Sequence, residues 1–572
     1  MIVGIIRKTS DSSVYTKTEV MRCQLCFFPF YLLFFFYSVD SSLAQISINE
    51  DEQQIQRSQF PEGFFFGTST SSYQIEGAYL EDGKGLSNWD VFTHIPGKIR
   101  NNENGDVADD HYHRYMEDIE IMHSLGVNAY RFSISWARIL PKGRFGKVNP
   151  KGIEFYNKII DNLLLKGIEP FVALYHQDMP QILEESYGGW LNHLIQEDFL
   201  YLATICFNEF GDRVKHWITL NEPNHVAEFT YLRGELPPAR CSPPFGNCSA
   251  GNSDVEPLVA MHNMLMAHAK VADMYHRHFK TTQGGLIGII AFAFMYEPLR
   301  YEEVDREAVN RALAFNIAWM LDPLVYGKYP AEMHECLGLE LPRFSNSDKE
   351  LIRGSLDFIG INHYSTLYVK DCIYSACSMG GDRPVRGFLS TITERDGVPI
   401  GKPTAMPRFF VVPRGMKKII EYLKQRYDNM PIFVTENGYS PKIQHDEHVE
   451  DLLQDVDRIK FHKAYLAALA SAIRGVRMHS RCSRKSLRLL FLDCRPWPSL
   501  IFSSTGVILD LFFWTVAVPQ SHFQLYKSDF GSSQKQQPTQ CNYYILPHAK
   551  KKKKKKKSNV IITCKLCGRD NS

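Results

Sequence analysis

The sequence predicts an α/β fold of the (β/α)8 TIM-barrel type, with its eighth βα unit missing or replaced by an unrelated C-terminal tail. Three observations predict it. Short apolar, β-rich runs alternate with longer stretches of helical period. Two of those runs end in a glutamate, at the strand edge where barrel enzymes carry their chemistry. A length of 572 residues holds one barrel with long loops and leaves segments over.

Seven runs read as strands, at residues 64–68, 128–133, 170–175, 214–220, 286–294, 358–362 and 432–435. Each is rich in aliphatic, aromatic or β-branched residues, as expected of strands covered on both faces. Helical stretches intervene. Residues 149–166 place Ile153, Tyr156, Ile160, Leu163 and Leu164 on one face, residues 256–279 form a second stretch, and 414–427 lead into the seventh strand. Residues 460–474 come after that strand, with Tyr465, Leu466, Leu469 and Ile473 at helical spacing. An eighth strand is then due, but 476–488 are basic and patternless. Residues 487–492 are apolar enough to pose as a strand, and 501–518 are hydrophobic enough to be sticky.

The ends read differently from the middle. Residues 1–20 are polar, without hydrophobic period, and read as an upstream extension. Residues 21–44 carry Arg22, an aromatic apolar run at 27–36 and the small residues Ser42-Leu43-Ala44, the order of a secretory signal peptide. The expected organisation is therefore extension (1–20), signal peptide (21–44), incomplete barrel (45–475) and aberrant tail (476–572).

Composition narrows the class. At 44% hydrophobic and 13% aromatic residues the chain can bury a large core, and past the N-terminal region no apolar run is long enough to span a bilayer. The net charge of +2 misleads, because Lys550 to Lys557 are eight consecutive lysines; removing them from the 65 basic residues leaves 57 against 63 acidic ones, a formal −6. Without interleaved aromatics the tract is not read as a nucleic-acid or membrane patch. Translation into a polyadenylate tail accounts for it, and a retained intron or faulty gene model accounts for the break after Gly475.

The two strand-end acids are Glu222, in Thr219-Leu220-Asn221-Glu222-Pro223, and Glu436, in Thr435-Glu436-Asn437-Gly438. Each could merely cap a helix. As a pair they suit glycosidic cleavage, which needs one carboxyl protonated to help the leaving oxygen depart and one ionised to meet the charge developing at the anomeric carbon.

The two motifs resemble the paired signature of glycoside hydrolase family one, the plant β-glucosidases and their relatives. Supporting stretches run in family order: Phe60-Pro61-Glu62-Gly63-Phe64 through Ser72-Tyr73-Gln74-Ile75-Glu76-Gly77, then Tyr130-Arg131-Phe132-Ser133-Ile134-Ser135-Trp136, His176-Gln177-Asp178-Met179-Pro180-Gln181 and Phe358-Ile359-Gly360-Ile361-Asn362-His363-Tyr364. The likeness runs over residues 58–474. It implies a retaining β-glucosidase acting on terminal β-D-glucosyl O-glycosides through a covalent intermediate, with Glu436 as nucleophile and Glu222 as acid and then base. It implies substrate binding by Gln74, His176, Asn221 and Tyr364, with Arg131 keeping the nucleophile ionised. Trp136 reads as packing, and Gln177 stands where relatives often have an aromatic residue. The family's Trp-Glu-Trp segment is absent after Gly475.

The remaining expectations come from this resemblance and the leader. A disulfide joins Cys241 and Cys248, whose intervening loop is rich in Pro and Gly, and Asn247 is a glycosylation acceptor within it. Cys564 and Cys567 are too little for a zinc site, so no metal and no cofactor is expected. The partner is a small β-glucoside, with neither nucleic acid nor membrane, and a homo-oligomer is compatible with all of this. The expected location is the secretory pathway, ending in the apoplast or vacuole. Two alternatives stand beside hydrolysis: a transglucosidase sharing the same intermediate, and a catalytically impaired splice or gene-model product.

Overall fold

A computed structural model of the chain describes residues 55–428, 430–441, 455–476 and 487–493. The extension, the signal peptide, residues 494–572 with the lysine tract, and Cys564 and Cys567 lie outside the described residues. The chain divides at Gln56, and the barrel belongs to the unit that begins at Arg57.

The centre of that unit is a closed barrel of eight strands: β1 Phe65–Ser69, β2 Ala129–Ser133, β3 Glu169–Tyr175, β4 His216–Asn221, β5 Leu286–Phe292, β6 Phe358–Asn362, β7 Ile432–Glu436 and β8 Leu487–Asp493. Neighbouring strands all pair parallel, β1 with both β2 and β8. The seven expected strands are present, displaced by at most two residues at either end. Inside, Ala129, Phe171, Ala173, Ile218, Ile290, Phe358 and Phe433 form one buried cluster, with Phe65 and Leu286 against it. Gly288 makes room for this floor: a Cβ there would lie 2.5 Å from the Phe358 ring.

The eighth strand is supplied by the stretch that replaces the eighth βα unit. β8 lies inside the stretch expected to be unrelated tail, pairs with β1 from Phe65↔Leu489 to Ser69↔Asp493, and pairs with β7 at Val434↔Leu490. What qualifies it is backbone pairing across a gap that β1 and β7 would otherwise leave as two open edges, and an apolar β-capable run suffices for that. No family motif is needed for the pairing. The last barrel strand thus comes from beyond residue 475.

Helices wrap the barrel. Pro150–Leu165 begins at Asn149, whose side chain accepts from Lys151 N at 3.2 Å, and buries Phe155, Tyr156, Ile159, Ile160 and Leu163. Leu164, grouped with them by spacing, is exposed. Glu256–Met274 continues through a π-turn at Tyr275–Phe279, and Pro413–Arg426 buries Met416, Ile419, Ile420 and Leu423. Val456–Val476 carries Tyr465, whose Oη accepts from Val412 N at 3.1 Å and donates to Tyr364 O at 2.9 Å. The helix between the last two strands thus braces a loop of the barrel's carboxyl end. Above that end, Met295–Pro298, Thr366–Asp371 and Leu389–Ile392 form a small sheet.

Closure gives a test. Leu490→Pro deletes one ladder N–H in a strand flanked on both sides and leaves its carbonyl partner unpaired, a cost of about 1–3 kcal/mol before any steric clash. Thermal melts should show a lowered, broadened transition; an unchanged melting temperature would mean that this segment does not close the barrel in solution.

Candidate active site

The same device turns a polar side chain into the barrel on each of the two strands that lead to the acids. Along β4, Ile218 points into the floor, so strict alternation would turn Leu220 inward and Asn221 outward. The register instead runs Ile218↔Gly288 and then Asn221↔Ile290, so β4 holds one extra residue. In β7, Phe433 belongs to the floor, and the register runs Val434↔Ile361 and then Glu436↔Asn362, again with one extra residue. Each bulge reverses the parity of the residues after it and turns a polar side chain inward.

Glu222 comes next with φ 52° and ψ 55°, in the left-handed region, heading the short helix Pro223–Val226. Its side chain caps nothing there, which removes the capping explanation for this residue. It is 3% exposed, and its Oε1 accepts from Asn362 Nδ2 at 2.6 Å. His225 Nδ1 lies 3.9 Å from Oε2. The backbone N–H of Glu222 donates to Ile290 O at 2.9 Å and holds it to β5.

Glu436 is 1% exposed and sits in a different setting. Arg131 Nη1 donates to its Oε1 at 2.5 Å, and the Tyr364 hydroxyl donates to its Oε2. Arg131, wholly buried on β2, also donates to Ser69 Oγ and, through Nη2, to Asn221 Oδ1, each at 2.6 Å. Asn362 Nδ2 reaches the same Asn221 oxygen at 3.1 Å, and Asn221 Nδ2 faces His176 Nε2 at 3.2 Å. A continuous run of hydrogen bonds therefore joins the two carboxyls, Glu222 to Asn362 to Asn221 to Arg131 to Glu436.

Of the residues singled out in the sequence, Glu222, Glu436, Arg131, Asn221, His176 and Tyr364 meet in this network. Gln74 lies on the short helix Ser72–Ile75 that leaves β1, half-buried, its Oε1 accepting from Ser71 Oγ; among the described residues it makes no hydrogen bond to either carboxyl. Trp136 is fully buried against Tyr175 and Phe199, in keeping with a packing role. Asn362 and His225 were not singled out. Asn362 stood within the motif quoted for Tyr364, but only the fold shows that its amide touches an acid.

Cys241 and Cys248 form a disulfide with Cα atoms 5.2 Å apart. It lies against Gly234, where φ is 68° and a Cβ would fall 2.1 Å from Cys248 Sγ. Asn247 between them is exposed. A second disulfide, Cys372–Cys377, was not read from the sequence; two cysteines five apart in a loop after a strand were the available signal. No cluster able to hold a metal ion occurs among the described residues.

A recess of about 260 Å³, including its open mouth, lies beside the Glu222 helix and is lined by Trp89, Gln177, Met179, Val226, Thr230 and Leu236 among others. Behind it Asp178 is buried and accepts from Ser72 Oγ at 2.7 Å. Burial pushes its carboxyl up to about 8 although the Ser72 bond pulls the other way. The folded chain then keeps this proton up to about pH 8, whereas the unfolded chain releases it near the ordinary 3.8. Stability should fall as pH rises through that window and level off above it. Asp178→Asn should flatten the dependence, raising the melting temperature relative to the parent more at pH 8 than at pH 5; parallel curves would refute the assignment.

The model for glycosyl hydrolase family 1 matches residues 56–489, which takes in the first residues of β8. A rice (Oryza sativa subsp. japonica) protein named probable inactive beta-glucosidase 14 is 55% identical over 423 residues, 73% of this chain and 81% of its own. Coniferin beta-glucosidase of Pinus contorta is 46% identical over 494 residues, 85% of this chain and 91% of its own. Among solved structures, a mutant rice β-glucosidase in a covalent complex with Glc superposes with a TM-score of 0.73 at 43% identity, covering 77% of this chain and 91% of that one.

Proposed function

We propose that this chain, which belongs to glycosyl hydrolase family 1, hydrolyses terminal β-D-glucosides of aromatic alcohols with retention of anomeric configuration. The observation that carries the reading is the contrast between the two joined carboxyls. Glu436 takes a guanidinium N–H and a phenolic O–H, donors that favour its ionised form. Glu222 takes a neutral amide N–H on one oxygen and faces an imidazole with the other. Carboxyls kept in unlike environments can divide the acid and nucleophile roles.

In the first step a Glu436 oxygen bonds to the anomeric carbon as the bond to the aglycone oxygen breaks, and the Glu222 proton passes to that oxygen. In the second, Glu222 takes a proton from water, whose oxygen bonds to the anomeric carbon as the ester to Glu436 breaks. Asn221 and His176, already tied to the network, are assigned to the sugar hydroxyls, and Gln74 to the outer ones. The aromatic and apolar lining of the recess suits an aromatic aglycone, and the pine relative is named for coniferin. Two disulfides favour the secretory pathway, where exposed Asn247 could be glycosylated.

A second reading, a slow or silent member, is favoured by the missing Trp-Glu-Trp segment after Gly475, since each lost charged hydrogen bond to the sugar is worth on the order of 1.5–3 kcal/mol. One experiment separates the two. A 2-deoxy-2-fluoro-β-glucoside with a good leaving group should add one fluoroglucosyl unit, mapped by mass spectrometry to Glu436. Labelling elsewhere overturns the assignment, and no labelling supports the silent reading.

A further inference from the structure

Gln177 occupies the place where the family resemblance leads one to expect an aromatic ring, and it touches His225. Gln177 has φ 66°, and its backbone carbonyl accepts from Asn88 Nδ2 at 3.2 Å, so the residue is held in a left-handed conformation at the end of β3. Its Nε2 lies 3.2 Å from His225 Nδ1. The His225 ring is fixed by Phe229, stacked at 4.3 Å, and by Phe292, edge-on at 5.1 Å. The same Nδ1 is the atom 3.9 Å from Glu222 Oε2. One nitrogen therefore faces both a primary amide and the Oε2 side of the acid.

Burial pushes His225 down to about 4, against the pull of Glu228 and Glu436. Its imidazole is then neutral through the working pH range and carries a single N–H. Which nitrogen bears that hydrogen decides what Glu222 meets. With the Gln177 amide donating, Nδ1 is the acceptor and the hydrogen sits on Nε2. We propose that Gln177 and His225 form a positioning pair that keeps the proton on Glu222, by presenting to its Oε2 a His225 Nδ1 that carries no hydrogen in place of an N–H.

The effect is electrostatic. At 3.9 Å there is no hydrogen bond, but the lone-pair end of the ring dipole opposes a negative Oε2, whereas an N–H there would favour it. The other groups set a background that the ring does not change. Asn362, from β6, donates to Oε1; Glu436, from β7, is paired with Arg131 of β2; His176, after β3, faces Asn221. On the turn after His225, burial pushes Glu228 up, but Arg386 and Arg233 together outweigh it and hold this carboxyl ionised at about 2. This inference takes its catalytic meaning from the glucosidase reading and its mechanism from the geometry alone.

Its test has one arm for each. Nitrogen-15 NMR of the full chain labelled at histidine, with His225→Phe assigning the signal, reads the tautomer without turnover. A pyridine-type Nδ1 that shifts toward pyrrole-type in Gln177→Met supports the pair; a pyrrole-type Nδ1 in the parent, or no change in the variant, overturns it. In the second arm the alkaline limb of kcat/KM should move down by roughly 0.5–1 pH unit in Gln177→Met and in His225→Phe, with no further movement in the double variant. An unmoved or raised limb, or additive shifts, also overturns it. Should no β-glucoside be turned over, the glucosidase reading falls while the tautomer result still decides the pair.

Discussion

Glu436→Ala should reduce turnover of aryl β-glucosides by on the order of 10⁴-fold or more, since under the proposed mechanism it removes the group that forms the intermediate and not an accessory to it. The substitution leaves Arg131 with Ser69 and Asn221 as partners but without its buried counter-charge, so a loss of about 3 kcal/mol in stability should accompany it. Folding must therefore be checked by near-ultraviolet circular dichroism before the rate is interpreted. The decisive readout is stereochemical. Azide entering the space vacated by the carboxylate attacks the anomeric carbon from that face in one displacement and gives α-glucosyl azide. A rate restored with β-glucosyl azide as product would assign Glu436 the other role.

Glu222→Ala should show the complementary pattern. A general acid contributes roughly 10²–10⁴-fold, and most of that is needed when the leaving oxygen is basic. Turnover of alkyl or phenylpropenyl glucosides should fall by about that factor, while glucosylation by a dinitrophenyl glucoside, which needs no proton, should change little. Water then lacks its base in the second step, so the intermediate should accumulate and azide should release it as β-glucosyl azide. The alkaline limb of the pH–rate profile should disappear. Equal losses for good and poor leaving groups would remove Glu222 from proton transfer.

How much of this could be read from the residues depended on what each feature is made of. The seven expected strands are continuous apolar runs, and a strand buried on both faces has little choice in composition, so they were legible. The network around Glu436 was legible through motif likeness, since Arg131 and Tyr364 each stand in a quoted stretch. β8 was legible only as an apolar run at 487–492, because a strand that joins two waiting edges is defined by its neighbours and the run has no further pattern. Asn362 was missed for a related reason. Its amide matters only once the β4 bulge has turned Asn221 toward it and the left-handed turn at the next residue has brought Glu222 within reach. The contact between Gln177 and His225 spans 48 residues, and nothing local announces it.

The bulges in β4 and β7 also separate two kinds of inheritance. The aim of Asn221 and of Glu436 is set by a count of residues, not by the size of the side chains beneath them, so the floor of Phe171, Phe358 and Phe433 can be repacked over generations without redirecting them. Deleting Thr435 would do the reverse, restoring simple alternation in β7 so that Glu436 points into the wall. A lineage carrying this architecture can drift in robustness and in reactivity independently, since the packing of the floor and the parity of the strand are set by different residues.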